Sequence, residues 1–141
     1  MPPVPINYLA VVAAAVASMA LGMAWFGFLF GKQWIALMGW TPEEIEVAKA
    51  RGRRSYVLAA LGSLVMAYVL AHVLIFASAY FMITGISAGL MVGFWNWLGF
   101  VAPVTLGAVL WEGKPWKLWA LDNGYQLLSL LVMGVILTLW R

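Results

Sequence analysis

Residues 6–30 contain no charged side chain, and neither do residues 55–85 or 86–110; residues 118–140 contain one, Asp122. Apolar runs of this length constrain the fold more than any motif in the chain. About 20 residues of α-helix cross the ~30 Å hydrocarbon layer of a bilayer. Within that layer every backbone N–H and C=O must be bonded inside the protein, which a helix does segment by segment. The sequence therefore predicts four spans, at 6–30, 55–77, 86–110 and 118–140, in one transmembrane domain over residues 1–141. Composition excludes the soluble alternative. The chain is 65% hydrophobic and 9% charged, against about 25% charged in soluble domains. The expected fold is an all-α integral membrane four-helix bundle.

The opening MPPVP has no basic region and no small-residue cleavage pattern, so the first span reads as a retained membrane helix and not a signal peptide. The polar loop after it contains TPEE. There Thr41 is placed to cap a helix, Pro42 suits its first position and Glu44 completes a capping box. A short amphipathic helix at 42–51 is expected, with Glu43, Glu44 and Glu46 toward its N-terminus, Lys49 and Arg51 toward its C-terminus, and Gly52 ending it. Lys32, Lys49, Arg51, Arg53 and Arg54 share this loop, and Lys114 and Lys117 lie in the third, so seven of the eight basic residues fall on one face. The positive-inside rule puts both loops in the cytoplasm and both termini outside.

Gly-Lys-x-Trp occurs twice, at Gly31–Trp34 and Gly113–Trp116, each time where an odd-numbered span reaches the basic face. Lys32, Trp34, Lys114 and Trp116 are expected as interface anchors, since lysine snorkels to headgroups and tryptophan prefers the boundary. The spans that follow share SLVMAYVL and LLVMGVIL. This order admits two tandem helical hairpins of the same orientation.

Small residues recur at four-residue steps: Ala10, Ala14, Ser18 and Gly22 in span one, Ser55 through Ala71 in span two, and Gly85, Gly89 and Gly93 in span three. Such stripes let helix backbones approach closely in lipid. Gly22, Gly85, Gly89 and Gly93 are the expected packing positions. A stripe unused by the bundle would serve an oligomer or a partner.

Polar side chains within spans are the candidate functional groups of a membrane protein. They are His72, Asn96, Asp122 and Gln126. Brought together, they would form a polar seam across most of the bilayer for protons or a small solute. Each also has a structural reading: a histidine bonded to a neighbouring helix, an asparagine joining helices, an aspartate at a favourable helix N-terminus. Pro103 frees a carbonyl near Gly99 and is placed to kink span three. The chain has no cysteine, one histidine, no HExxH and no Gly-rich phosphate loop after a strand, so no enzyme activity, metal or cofactor is expected.

The segments AWFGFLFGKQWIALMGWTPEE, GFWNWLGFVAP and LWEGKPWKLWALDNGYQLLSLLVMGVILTLW resemble a bacterial family of uncharacterised four-span membrane proteins, domain of unknown function 1761. The resemblance implies a multi-pass protein of the bacterial cytoplasmic (inner) membrane and brings no activity or catalytic residues. The functional expectation is a non-enzymatic structural, accessory or assembly subunit packing through small-residue faces. The alternative is an oligomeric channel or carrier using the polar seam. Its partners would be the lipid bilayer and either further copies of itself or a larger membrane complex, without nucleic acid.

Overall fold

Asn7 starts the first helix: its Oδ1 accepts from the backbone N–H of Leu9 at 3.1 Å and of Ala10 at 3.3 Å, satisfying donors that a helix N-terminus leaves open. The computed structural model describes residues 4–141, so the first three residues of MPPVP lie outside the described residues. Helix α1 (Tyr8–Ala24) runs into a π-helical turn (Trp25–Leu29) and then α2 (Gly31–Met38). Helix α3 (Pro42–Ala50) carries the capping box, with Thr41 Oγ1 accepting from Glu44 N–H and Glu44 Oε2 accepting from Thr41 N–H. Helix α4 (Gly52–Phe81) follows directly. The second half contains α5 (Gly85–Asn96), a second π-helical turn (Trp97–Val101), α6 (Ala102–Thr105), α7 (Gly107–Leu110) and α8 (Trp116–Leu139). No strand occurs among the described residues.

Four segments are long and apolar enough to cross a membrane: Tyr8–Leu29, Gly52–Phe81, Gly85–Leu110 and Trp116–Leu139. The 30 residues of α4 extend about 45 Å, more than the ~30 Å of hydrocarbon, so its basic first turn, with Arg53 and Arg54, has helix to spare for reaching headgroup depth. Span three is segmented. Pro103 has no N–H to donate, the Thr105 hydroxyl bonds back to the Val101 carbonyl at 2.8 Å, and the helix breaks at Leu106.

Helix α8 is the centre of the bundle, packed between α5 on one side and α1 on the other, with α4 against α1 and α5. Its contact with α5 is the closest in the molecule. A Cβ on Gly93 would stand 2.7 Å from the Leu130 carbonyl oxygen, and Gly89 lies against Gly134 in the same way. Gly22 faces the Tyr125 ring. Gly85 does not pack: it has φ +73° and open space around it, and with Met82 at φ 57° it forms the turn between α4 and α5. That turn position, where only glycine is free of strain, is what it provides. The α1 and α4 stripes are also largely consumed internally, with Ala10, Ala14, Ser18, Ser63, Ala67 and Ala71 all buried.

Asn7 and the last residues of α8 meet at one end of the bundle. Asn7 Nδ2 donates to the Trp140 carbonyl at 3.2 Å, Arg141 to Ser78 Oγ at 2.7 Å, and Thr138 Oγ1 to the Gly85 carbonyl at 3.0 Å. The basic loops lie at the other end.

Candidate functional site

The four polar side chains singled out in the sequence occupy separate places. His72 Nδ1 lies 2.9 Å from the Tyr68 carbonyl of its own helix. A carbonyl only accepts, so Nδ1 carries the proton, and the ring lies tilted between Tyr68 and Phe76. Asn96 Nδ2 donates to the Val92 carbonyl at 2.8 Å, again within its own helix, and borders an apolar cavity of about 540 Å³ between α4 and α5. Asp122 borders a polar cavity at the basic end. Gln126 is partly buried one turn deeper. No cavity described here is lined by more than one of the four.

The polar cavity, of about 320 Å³, is built where span three breaks against the start of α8. Its floor is a hydrogen-bonded lock centred on Thr105. Thr105 Oγ1 accepts from Asn123 Nδ2 at 2.9 Å and from Trp119 Nε1 at 3.1 Å, and gives its own proton to Val101. The second Asn123 amide proton goes to the Trp119 carbonyl at 3.0 Å. Asn123 is 2% exposed, so this pairing removes the cost of a buried amide. Around the mouth stand Glu112, Lys114 and Asp122. Among the described residues the one ion pair is Lys49–Glu46, at 3.6 Å on the surface, so these three charges are not tied to one another.

The Gly-Lys-x-Trp repeat has its spatial counterpart here. Trp34 of the first copy lies near Asp122, and Lys114 of the second copy lines the same cavity. Trp34 also packs edge-on against Phe26 and Trp40. Lys32 and Trp116 are exposed, with Trp116 edge-on to Trp119.

A second polar node joins α1 to α8. Ser18 Oγ and Ser129 Oγ are 2.6 Å apart and buried, and the Tyr125 hydroxyl donates to the Ser18 carbonyl at 2.9 Å. Trp25 Nε1 donates to the Leu121 carbonyl at 3.1 Å, with its ring against Gly124. Sequence reasoning passed over Asn123, Thr105, Ser129 and Gly134. Asn123 was detectable: it stands seven and fourteen residues before the core positions Leu130 and Leu137, on the inward face of α8.

The two π-helical turns have the sequences WFGFL and WLGFV, Trp-x-Gly-Phe in both. They fall at different places in the two odd-numbered spans, the first at the end of Tyr8–Leu29 and the second in the middle of Gly85–Leu110. π-Turns are rare and concentrate at functional sites. The partner of Trp25 is the Leu121 carbonyl, whereas Trp97 Nε1 is buried with no partner among the described residues.

No curated protein and no solved structure matches the chain significantly. A family match does, and it covers residues 9–138 of the 141, which reaches into all four spans. The chain belongs to the family described as Protein of unknown function (DUF1761).

Proposed function

We propose that this chain is a non-enzymatic scaffold of the bacterial inner membrane, an accessory or assembly component that docks within the bilayer onto a larger assembly. The observation that carries the reading is how the small-residue stripes and polar groups are spent. Gly89, Gly93 and Gly134 hold α5 to α8, Ser18 and Ser129 hold α1 to α8, and His72 and Asn96 bond to their own helices. A rigid interior of this kind leaves the outer face of span three for contact. Trp95 there is 60% exposed and Phe100 76%, and aromatic anchors of this type dominate interface energetics. The small stripes themselves, being largely used up, are not the docking surface.

The test is native mass determination after gentle extraction from the protein's own membrane. The scaffold reading expects co-migration with a larger complex at fixed stoichiometry, lost in Trp95→Ala/Phe100→Ala. A lone 15.5 kDa species in the unaltered protein would overturn it.

A second reading, a channel or carrier for a small polar solute, is favoured by the cavity beneath Asp122. For passage, the Thr105–Asn123 lock must open toward the bundle centre. Flux through reconstituted protein that Asp122→Leu and Asn123→Leu abolish would support it; flux unchanged in both would sink it.

A further inference from the structure

Helices α1 and α4 touch at the terminal end and part toward the basic end. Where they touch, the residues are Ala10 and Ala14 against Ala67 and Ala71, all buried, and alanine lets backbones approach. Where they part, Met19 and Met23 face Tyr56 and Ala60 across an apolar groove. Two cavities, of about 490 and 400 Å³, adjoin across Met19, Met23 and Tyr56, the second reaching Gly22 and Tyr125.

Size separates the possible occupants. One turn of α-helix, about 10 Å across and 5.4 Å long, fills roughly 420 Å³ by itself. The groove therefore encloses no more than about two helical turns, so a helix from a second copy would lie on it and not within it. A polymethylene chain, one carbon wide, fits. From Tyr56 to Leu64 the α4 wall is about 12 Å long, close to the ~15 Å hydrocarbon depth of one leaflet. The methionine walls adapt to a chain of variable shape.

Charge identifies the headgroup. Arg53, Val57, Ala60 and Leu64 follow one another at steps of four, three and four, and so lie on one face of α4. Arg53 is thus in line with the groove, one turn beyond its apolar wall, and it is exposed, with Arg54 beside it. Neither pairs with a carboxylate among the described residues. Tyr56, a boundary-seeking side chain, lines the groove three residues after the arginine.

We propose that the α1–α4 groove binds one acyl chain of an anionic phospholipid, with the lipid phosphate held by Arg53 at the groove's basic end. The site goes beyond the scaffold reading and does not depend on it. The experiment uses the full chain in bilayers of equal phosphatidylglycerol and phosphatidylcholine, followed by native mass spectrometry to count retained lipids. One phosphatidylglycerol per chain is expected, enriched over phosphatidylcholine. Arg53→Gln is expected to cut that enrichment about fivefold, the worth of one basic side chain near a charged membrane surface, while a lipid of either kind stays bound. Ala60→Trp fills the groove and is expected to lose the lipid altogether. Val57→Trp, on the exposed wall, repeats that test should Ala60→Trp fail to fold. Equal enrichment in the unaltered and Arg53→Gln proteins would overturn the proposal, as would retention undiminished by the tryptophan variants. So would a dimer mass that the tryptophan variants convert to monomer, since a second copy would then be the occupant.

Discussion

Gly89 and Gly134 meet backbone to backbone, so closely that a methyl group on Gly89 would stand 2.5 Å from the Gly134 carbonyl oxygen. Neither helix can withdraw without uncovering the buried residues around it, Ala88, Val92 and Met133. Gly89→Ala and Gly134→Ala are each expected to destabilise the bundle by about 1–3 kcal/mol, the usual cost of overpacking. Gly62, mid-helix in α4 with open space around it, is the control. Gly62→Ala is expected to stabilise by about 0.4–1 kcal/mol through the unfolded chain. Reversible unfolding in detergent measures both, and equal effects at Gly62 and Gly89 would refute the close contact.

The turn between α4 and α5 offers a prediction with opposite signs at two neighbouring positions. Met82 and Gly85 both have positive φ, 57° and 73°, a conformation that costs a side-chain-bearing residue about 1–2 kcal/mol. Met82→Gly is expected to raise the midpoint of thermal unfolding and Gly85→Ala to lower it. Shifts of the same sign would contradict the turn geometry.

Thr105 serves three partners with one hydroxyl. Thr105→Val keeps the volume and leaves Asn123 and Trp119 with an unmet bond, at an expected cost of about 1–3 kcal/mol. Thr105→Ser, which keeps the hydroxyl, is expected to retain most of that stability. Unfolding free energies of the two variants decide it: if valine and serine behave alike, the hydroxyl is not the hub.

Ser18 and Ser129 form the buried link between α1 and α8. A double-mutant cycle with Ser18→Ala and Ser129→Ala is expected to return a coupling near ~0.6 kcal/mol and no more than ~1.7, the range for such bonds in membrane bundles. Zero coupling would mean that the hydroxyls do not interact in the bilayer.

The absence of cysteine makes orientation directly measurable. Single cysteines replacing Lys49, Lys117, Tyr8 or Arg141 introduce the one thiol in the chain. The distribution of basic residues predicts that thiols at 49 and 117 are shielded from an impermeant reagent added outside the cell, while those at 8 and 141 react. The reverse pattern would invert the protein in its membrane.

The spans were legible because hydropathy over twenty residues is a coarse sum that no local detail overturns. Gly89 and Gly93 were legible for a related reason, since a four-residue step of small side chains survives whatever the partner is. Gly134 was not: it stands alone in a run of large residues, and its meaning depends on what α5 sets opposite it. The same holds for Thr105 and Asn123, eighteen residues apart and joined only by the break in span three. Gly85 misled because it continues the four-residue step arithmetically while lying in the turn. The π-turns left hydropathy unchanged, and their one signal in the sequence was the repeated Trp-x-Gly-Phe.

Those two turns have a consequence for comparing relatives of this chain. A π-turn holds one residue more than the α-helical turn it replaces, and one residue is roughly 100° of rotation about the helix axis. Loss of a single residue at Gly27 or Gly99 would return the turn to ordinary α-helix, because the bulge already absorbs that rotation, and every side chain beyond it, Trp34 and Thr105 included, would keep its neighbours. A one-residue gap at either place in an alignment therefore marks a bulge relaxed to α-helix, not a change of face.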